Sequence, residues 1–471
     1  MSRPGTVGEL TKAGWESVPV AEELRRNAIE RIRNGDPLVA HVLGYEETVL
    51  PQLENALVAG HDVIFLGERG QAKTRMIRSL TELLDEWMPI IQGSEINDDP
   101  YAPVSAHAKA LVAEHGDDTP LDWVHRSDRY GEKLATPDTS IADLIGEVDP
   151  IKVADGRYLS DELTLHYGLV PRTNRGIFAI NELPDLSERI QVGLLNVLEE
   201  RDVQIRGYKV RLPLDVMLFA SANPEDYTNR GRIITPLKDR FGSQIRTHYP
   251  LDVDTEMAIV SQEAVLPPAD IVDVAVPEFM LEIVSEFSQQ ARQSSQISQR
   301  SGVSVRLSVS NYEVIVANAV RRSLASGDEI AVPRVSDLKA MAATTSGKIE
   351  VEAFEDGSEG RIIDALIRSS VHTTFADSVD PALHGPIVAA FEEGETVDVG
   401  PGVEADQYVK LVEDIPALAP ALDALLEDDD VDASEPAVIA SAVELILEGL
   451  HLAKRLNKND HGDSSQYRGR S

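Results

Sequence analysis

The 471-residue chain contains no cysteine. Disulfides, thiolate metal sites and cysteine nucleophiles are therefore excluded. Nor does any apolar run approach the roughly 20 residues that cross a bilayer, so no membrane insertion is expected. The opening "MSRPGTVGELTKAGWESV" lacks the apolar core of a secretory signal, and a cytoplasmic location is the expectation. Basic residues are scarce: 44 Lys and Arg stand against 80 Asp and Glu, a net charge of −36. Residues 376–450 alone hold nineteen acids against the single Lys410. Such a surface repels phosphate backbones, and no nucleic acid is expected as a partner. The acidic run reads as a solvated face or as a docking surface for a basic partner. The eleven histidines are scattered and form no HExxH or comparable cluster.

What is present begins with "VIFLGERGQAKTRMIRSL", residues 63–80. A short apolar strand leads into a glycine-bearing loop, a Lys-Thr pair and a helix. Gly67 and Gly70 permit a tight turn whose amides point at an anion, and the helix adds the positive end of its dipole. The loop Gly67, Glu68, Arg69, Gly70, Gln71, Ala72, Lys73 and Thr74 is the candidate nucleotide cradle. Lys73 would neutralise phosphates and Thr74 would ligate Mg²⁺. Ala72 replaces the usual glycine, and alanine tolerates most backbone geometries short of positive φ. The alternative is a lysine-bearing turn without chemistry.

About a hundred residues later comes "RGIFAINELPDL", residues 175–186. The run Ile177–Ile180 is a buried strand, with Asn181 and Glu182 at its carboxyl end, where open α/β sheets bind ligands. Glu182 fits the polarisation of an attacking water. Asn181 stands where an aspartate is expected beside the metal, which predicts weaker Mg²⁺ dependence or slower turnover. A helix-start cap is the bland reading. "VQIRGYKVRL" reads as a hairpin around Gly207, and the following strand ends in Asn223, placed for the γ-phosphate or the attacking water. Arg240 in "ITPLKDRFG" and Arg306 in "SGVSVRLS" gain weight only from their order after these motifs.

The expected organisation is a polar helical lead-in over 1–40, with Leu24, Ile29 and Ile32 on one face. An α/β nucleotide-binding domain over 41–250 follows, then an α-helical domain over 251–375. An acidic helical region spans 376–457, with "GETVDVGPGVEADQ" as a linker and "VIASAVELILEGLHLAKRL" as an amphipathic helix. A disordered tail closes the chain over 458–471. No internal repeat is found.

The ordered set "ATPDTSIADLIGEVDP", "GLVPRTNRGIFAINE", "LLNVLEERDVQIRG", "SANPED" and "PLKDRFG" resembles AAA+ ATPases. Within them it resembles the magnesium-chelatase ATPase subunit and its MoxR-like relatives, over about Gly44 to Arg322. The resemblance implies a P-loop parallel-sheet domain with a helix-2 insert over 146–176 and a pre-sensor hairpin. An α-helical lid and the acidic region would follow. It implies ATP and Mg²⁺ as cofactors, with Thr74, Asn181 and Glu182 about the metal. Asn223 would be the first sensor, Arg240 the arginine finger reaching a neighbouring subunit, and Arg306 the second sensor. Gly44 and Tyr45 match the adenine-side loop. It also implies a homo-hexamer and a separate partner with a von Willebrand A domain, since this chain has no DxSxS motif. A minichromosome-maintenance-like DNA motor and a nucleotide-gated scaffold with weak hydrolysis are the competing readings. The GAFTGA loop of sigma-54 activators is absent.

Overall fold

The computed structural model describes residues 3–148, 165–199, 202–204, 211–223, 231–298, 302–351, 358–427, 429–462 and 464–470. The chain divides into two units, Met1–His248 and Tyr249–Ser471.

The first unit is built on five parallel strands: β1 (Val63–Leu66), β2 (Tyr130–Leu134), β3 (Gly176–Asn181), β4 (Val216–Ala222) and β5 (Ser243–Arg246). Their spatial order is β5-β1-β4-β3-β2, with every neighbouring pair parallel. β1, β3 and β4 are buried along their whole length, as near-continuous apolar runs with helices on both faces require. Side chains alternate across the sheet. Val63, Phe65, Ile177, Ala179, Met217 and Phe219 face one core, while Ile64, Leu66, Phe178, Ile180, Leu218 and Ala220 face the other.

The first of these cores is closed by helices α1 (Val20–Asn34), α2 (Val49–Ala59) and α3 (Lys73–Ser79). The second is closed by α4 (Glu188–Glu199) and α5 (Thr235–Arg240). The amino-terminal segment is thus part of the first unit, packed on its sheet. Its buried face is Val20, Glu23, Leu24 and Ala28; Ile32 is 42% exposed, against the expected Leu24–Ile29–Ile32 stripe. Leu24 and Ala28 lie one turn apart, and Ile32 falls in the final turn of the helix. Arg129 and Glu23 form a buried ion pair at 2.5 Å.

The expected pre-sensor hairpin has its two legs paired antiparallel, Val203 opposite Leu212. Its turn with Gly207, residues 149–164 of the expected insert over 146–176 and the "PED" of "SANPED" lie outside the described residues.

The second unit contains α6 (Val253–Glu263), α7 (Glu278–Gln293), α8 (Val305–Ser326), α9 (Ser358–Ser378) and α10 (Pro436–Leu452). One apolar core runs from Val260 to Tyr467, so the helical region and the acidic region are not separate domains. The proposed linker carries β6 (Thr396–Val399), whose Val397 and Val399 are buried. The tail expected to be disordered forms β7 (Asn457–His461) and β8 (Ser464–Arg468), with β8 central and antiparallel to both β7 and β6. Composition alone misses this because one residue anchors it. Tyr467 is buried, and its hydroxyl donates to Glu448, which also accepts a 2.8 Å bond from Lys458.

Candidate functional site

The carboxyl ends of β1, β4 and β3 lie side by side, and the loop after β1 rises beside them. Gly67 opens this loop, its amide bonded at 3.1 Å to the carbonyl of Ala222 at the end of β4. No side chain fits at position 67. A Cβ there would lie 1.9 Å from Thr247 Oγ1 and 2.2 Å from Gln71 Oε1. Gly70 has φ +77°, which glycine alone adopts freely.

Ala72 has φ +53° and ψ +11°, the left-handed geometry in which an L-residue is disfavoured by about 1–2 kcal/mol. The substitution therefore falls on the loop position where glycine is most useful. The loop keeps its turn nonetheless, and the Ala72 carbonyl accepts the Met76 amide at 2.9 Å, starting α3. Lys73 is buried; its ammonium donates to the carbonyls of Gly67 at 2.6 Å and Glu68 at 2.5 Å. Gln71, also buried, accepts from the Glu68 amide at 3.0 Å and from Thr247 Oγ1 at 2.7 Å. Glu68 is half-buried and Arg69 exposed.

Thr74 Oγ1 donates to Asn181 Oδ1 at 3.2 Å, and Ser221 Oγ donates to the same oxygen at 3.1 Å. Asn181 Nδ2 donates to Glu132 Oε1 at 2.6 Å. Glu182 follows at φ +56°. Its amide donates to Ser221 Oγ at 3.3 Å, so a left-handed turn at the end of β3 is tied to β4. Asn223 is buried one residue past β4. These residues and the loop share one end of the sheet.

Tyr45 is buried behind the loop. Its hydroxyl lies 3.0 Å from the Gln71 carbonyl and 2.8 Å from that of His248. Burial pushes its pKa up, so the hydroxyl stays protonated and ties the two chain segments. Gly44 precedes it with φ +79°. Arg240 ends α5, half-buried, with Nη1 donating to the Pro236 carbonyl at 3.1 Å. Arg306 belongs to the second unit, exposed in the first turn of α8.

Three participants escaped the sequence reading: Glu132, Ser221 and Thr247. Glu132 lies on β2, and Arg78 grips its carboxylate at 2.7 and 3.0 Å while the Tyr130 hydroxyl donates at 3.0 Å. Burial alone would raise the Glu132 pKa. Hydrogen bonds from Arg78, Tyr130 and Asn181, with the Arg78 charge, hold it below the usual carboxylate range.

The strand order and the loop are now joined by sequence relatives. The chain is 28% identical over 229 residues to the magnesium-chelatase 38 kDa subunit of Cereibacter sphaeroides, covering 47% of this chain and 61% of that one. It is 26% identical over 231 residues to the magnesium-chelatase subunit ChlI of a Nostoc species, covering 47% and 57%. The chain has an AAA+ fold and resembles the magnesium-chelatase ATPase subunit. The match spans about three-fifths of the length of these relatives. Residues 156–240 also match the Sigma-54 interaction domain, a stretch that includes β3, β4 and Arg240. A solved complex of the magnesium-chelatase subunits BchI and BchD aligns with TM-score 0.36 at 20% identity, covering 71% of this chain and 94% of that one. A likeness that loose adds nothing to the sequence match.

The donor set of this AAA+ site suits its expected cofactors. The Lys73 ammonium lies within the loop, at the start of α3, where positive charge fits a polyphosphate. The oxygens of Thr74 and Asn181 are the hard donors that Mg²⁺ prefers. Among the described residues no cluster of three or more His, Asp or Glu could hold a metal by itself. No described helix is long and apolar enough to cross a membrane.

Proposed function

We propose that the protein is an ATP-hydrolysing motor subunit of the magnesium-chelatase/MoxR type, working in the cytoplasm as a homo-hexamer on a separate partner protein. The observation that carries this reading is the juxtaposition of the Lys73–Thr74 loop after β1 with the Asn181–Glu182 pair at the end of β3, joined by the Thr74–Asn181 hydrogen bond. In this reading backbone amides from Gly70 to Thr74 and the Lys73 ammonium hold the triphosphate of ATP. Thr74 and Asn181 would hold Mg²⁺, which offsets charge on the phosphates. Glu182 takes a proton from the attacking water, and Asn223 orients that water or the γ-phosphate. Arg240 of a neighbouring subunit supplies positive charge at the γ-phosphate, and Arg306 reports nucleotide state from the helical unit. Hydrolysis then depends on assembly, which converts it into domain movement.

The partner carries a von Willebrand A domain in this reading, and the acidic surface after residue 375 is the contact for it. The motor remodels that partner or drives insertion of a metal ion, which is cargo here. Phosphate release by assembled native protein against Glu182→Gln tests the reading. Loss of about 100-fold or more is expected for a general base.

A second reading, a nucleotide-gated scaffold with weak hydrolysis, is supported by Ala72 at φ +53° and the amide at Asn181. Equal rates of the two proteins in assembled rings would favour it. A DNA motor is disfavoured by the −36 charge, and filter binding to single-stranded DNA at low salt would expose it.

A further inference from the structure

Glu132 and Asn181 stand on adjacent strands, β2 and β3, and the carboxylate meets the amide at 2.6 Å. A carboxylate only accepts, so it fixes which end of the Asn181 amide faces it. The NH₂ group is committed to Glu132, and Oδ1 is turned the other way, where the Thr74 and Ser221 hydroxyls donate to it. Glu132 is in turn held by two bonds from Arg78 and one from Tyr130. The side chain at 181 thus has one orientation, imposed from the neighbouring strand.

We propose that Glu132 is a positioning residue, and that the carboxylate missing at position 181 has been relocated to position 132. It acts through the Asn181 amide, presenting Oδ1 to Thr74 and to a Mg²⁺–nucleotide complex. This inference rests on the nucleotide-binding reading above. Asn181 is then no simple loss of function: an amide is the group that fits between Glu132 and Thr74. Restoring aspartate there would set two carboxylates at hydrogen-bond distance, a like-charge contact. Aspartate at 181 becomes acceptable only when residue 132 is neutral.

The test is a cycle of full-length Asn181→Asp, Glu132→Gln and the double variant, with Glu132→Ala beside them. Thermal melting without nucleotide, at pH 7.5 and low salt, reads the pairing alone. Asn181→Asp melts below wild type, and adding Glu132→Gln recovers most of the loss. Mg²⁺ titration of the binding of a fluorescent ATP analogue reads the role. Glu132→Ala raises the Mg²⁺ needed for half-saturation about tenfold, the usual cost of losing a group that orients a ligand from behind. Binding in EDTA stays within about twofold, which a merely structural role would not predict.

Strictly additive melting shifts, or unchanged Mg²⁺ dependence in Glu132→Ala, would overturn the proposal. Should Glu132→Ala fail to fold, the double variant decides the Mg²⁺ question, since it is expected to bind with at least wild-type Mg²⁺ sensitivity. A wild-type chain that binds no nucleotide would overturn the metal role together with the reading it rests on. The melting cycle would still judge the pairing separately.

Discussion

Thr247, one residue past β5, donates a 2.7 Å hydrogen bond to Oε1 of Gln71 within the phosphate loop. Both side chains are buried, and the same oxygen accepts the Glu68 amide. The loop is therefore shaped by the sheet edge opposite β2 as well as by its glycines. Thr247→Val keeps the volume and removes the donor. The expected cost is about 1 kcal/mol of stability in urea unfolding, with nucleotide affinity reduced several-fold. An unchanged unfolding midpoint and affinity would show that the loop holds its form without this bond.

Ala72 carries strain at φ +53°. Ala72→Gly relieves about 1–2 kcal/mol of it but adds unfolded-state entropy costing roughly 0.5–1 kcal/mol. The net expectation is neutral to about 1 kcal/mol more stable, with nucleotide bound at least as tightly. Ala72→Val, β-branched in the same geometry, is expected to lose about 2 kcal/mol or more. Denaturant titrations of both variants check the pair, and equal destabilisation by both would contradict the strained loop.

The contact between Glu23 and Arg129 is buried, and Arg129 Nε also donates to the Arg175 carbonyl at 2.8 Å. Glu23→Ala leaves the guanidinium in the core without its counter-charge. Removing one partner of such a pair costs about 3–5 kcal/mol. Urea unfolding of Glu23→Ala against Glu23→Gln, which keeps an acceptor, measures it; the alanine variant should be markedly the weaker.

In the second unit Glu282 has its pKa raised to about 7, by burial first and then by the nearby charge of Asp377, with Glu286 and Glu278 adding. The folded state then holds a proton that the unfolded chain releases near the ordinary glutamate value of about 4.3. Stability contributed by the neutral carboxyl is present at low pH and is lost as pH rises from about 4.3 to about 7. Glu282→Gln removes the titration. Its melting temperature should exceed that of wild type by a margin that grows from pH 5 to pH 8, whereas a constant margin would place the carboxyl in an ordinary environment.

Legibility in the sequence followed burial. The runs Val63–Leu66, Ile177–Ile180 and Val216–Ala220 are covered on both faces, so each reads as an unbroken apolar strand with its polar motif following. The phosphate loop, Asn181, Glu182 and Asn223 follow from those strands directly. The edge strands β2 and β5 do not show themselves. "YGEKL" and "SQIR" are polar and partly exposed, because an edge strand buries little and needs few apolar residues. Glu132 and Thr247 were hidden with them, although both shape the site. The tail was misjudged for a related reason: β7 and β8 are held by backbone pairing and one buried tyrosine, neither of which alters composition.

The central claim is that main-chain amides and the Lys73 ammonium capture a nucleoside triphosphate. Calorimetric titration of full-length wild type and Lys73→Ala with ATP in millimolar Mg²⁺ tests it most directly. The account predicts saturable binding by wild type and at least about a tenfold weaker complex in the variant, the loss of one charge-assisted contact worth about 1.5–3 kcal/mol. No heat of binding in wild type, or equal affinity in the two proteins, would contradict it.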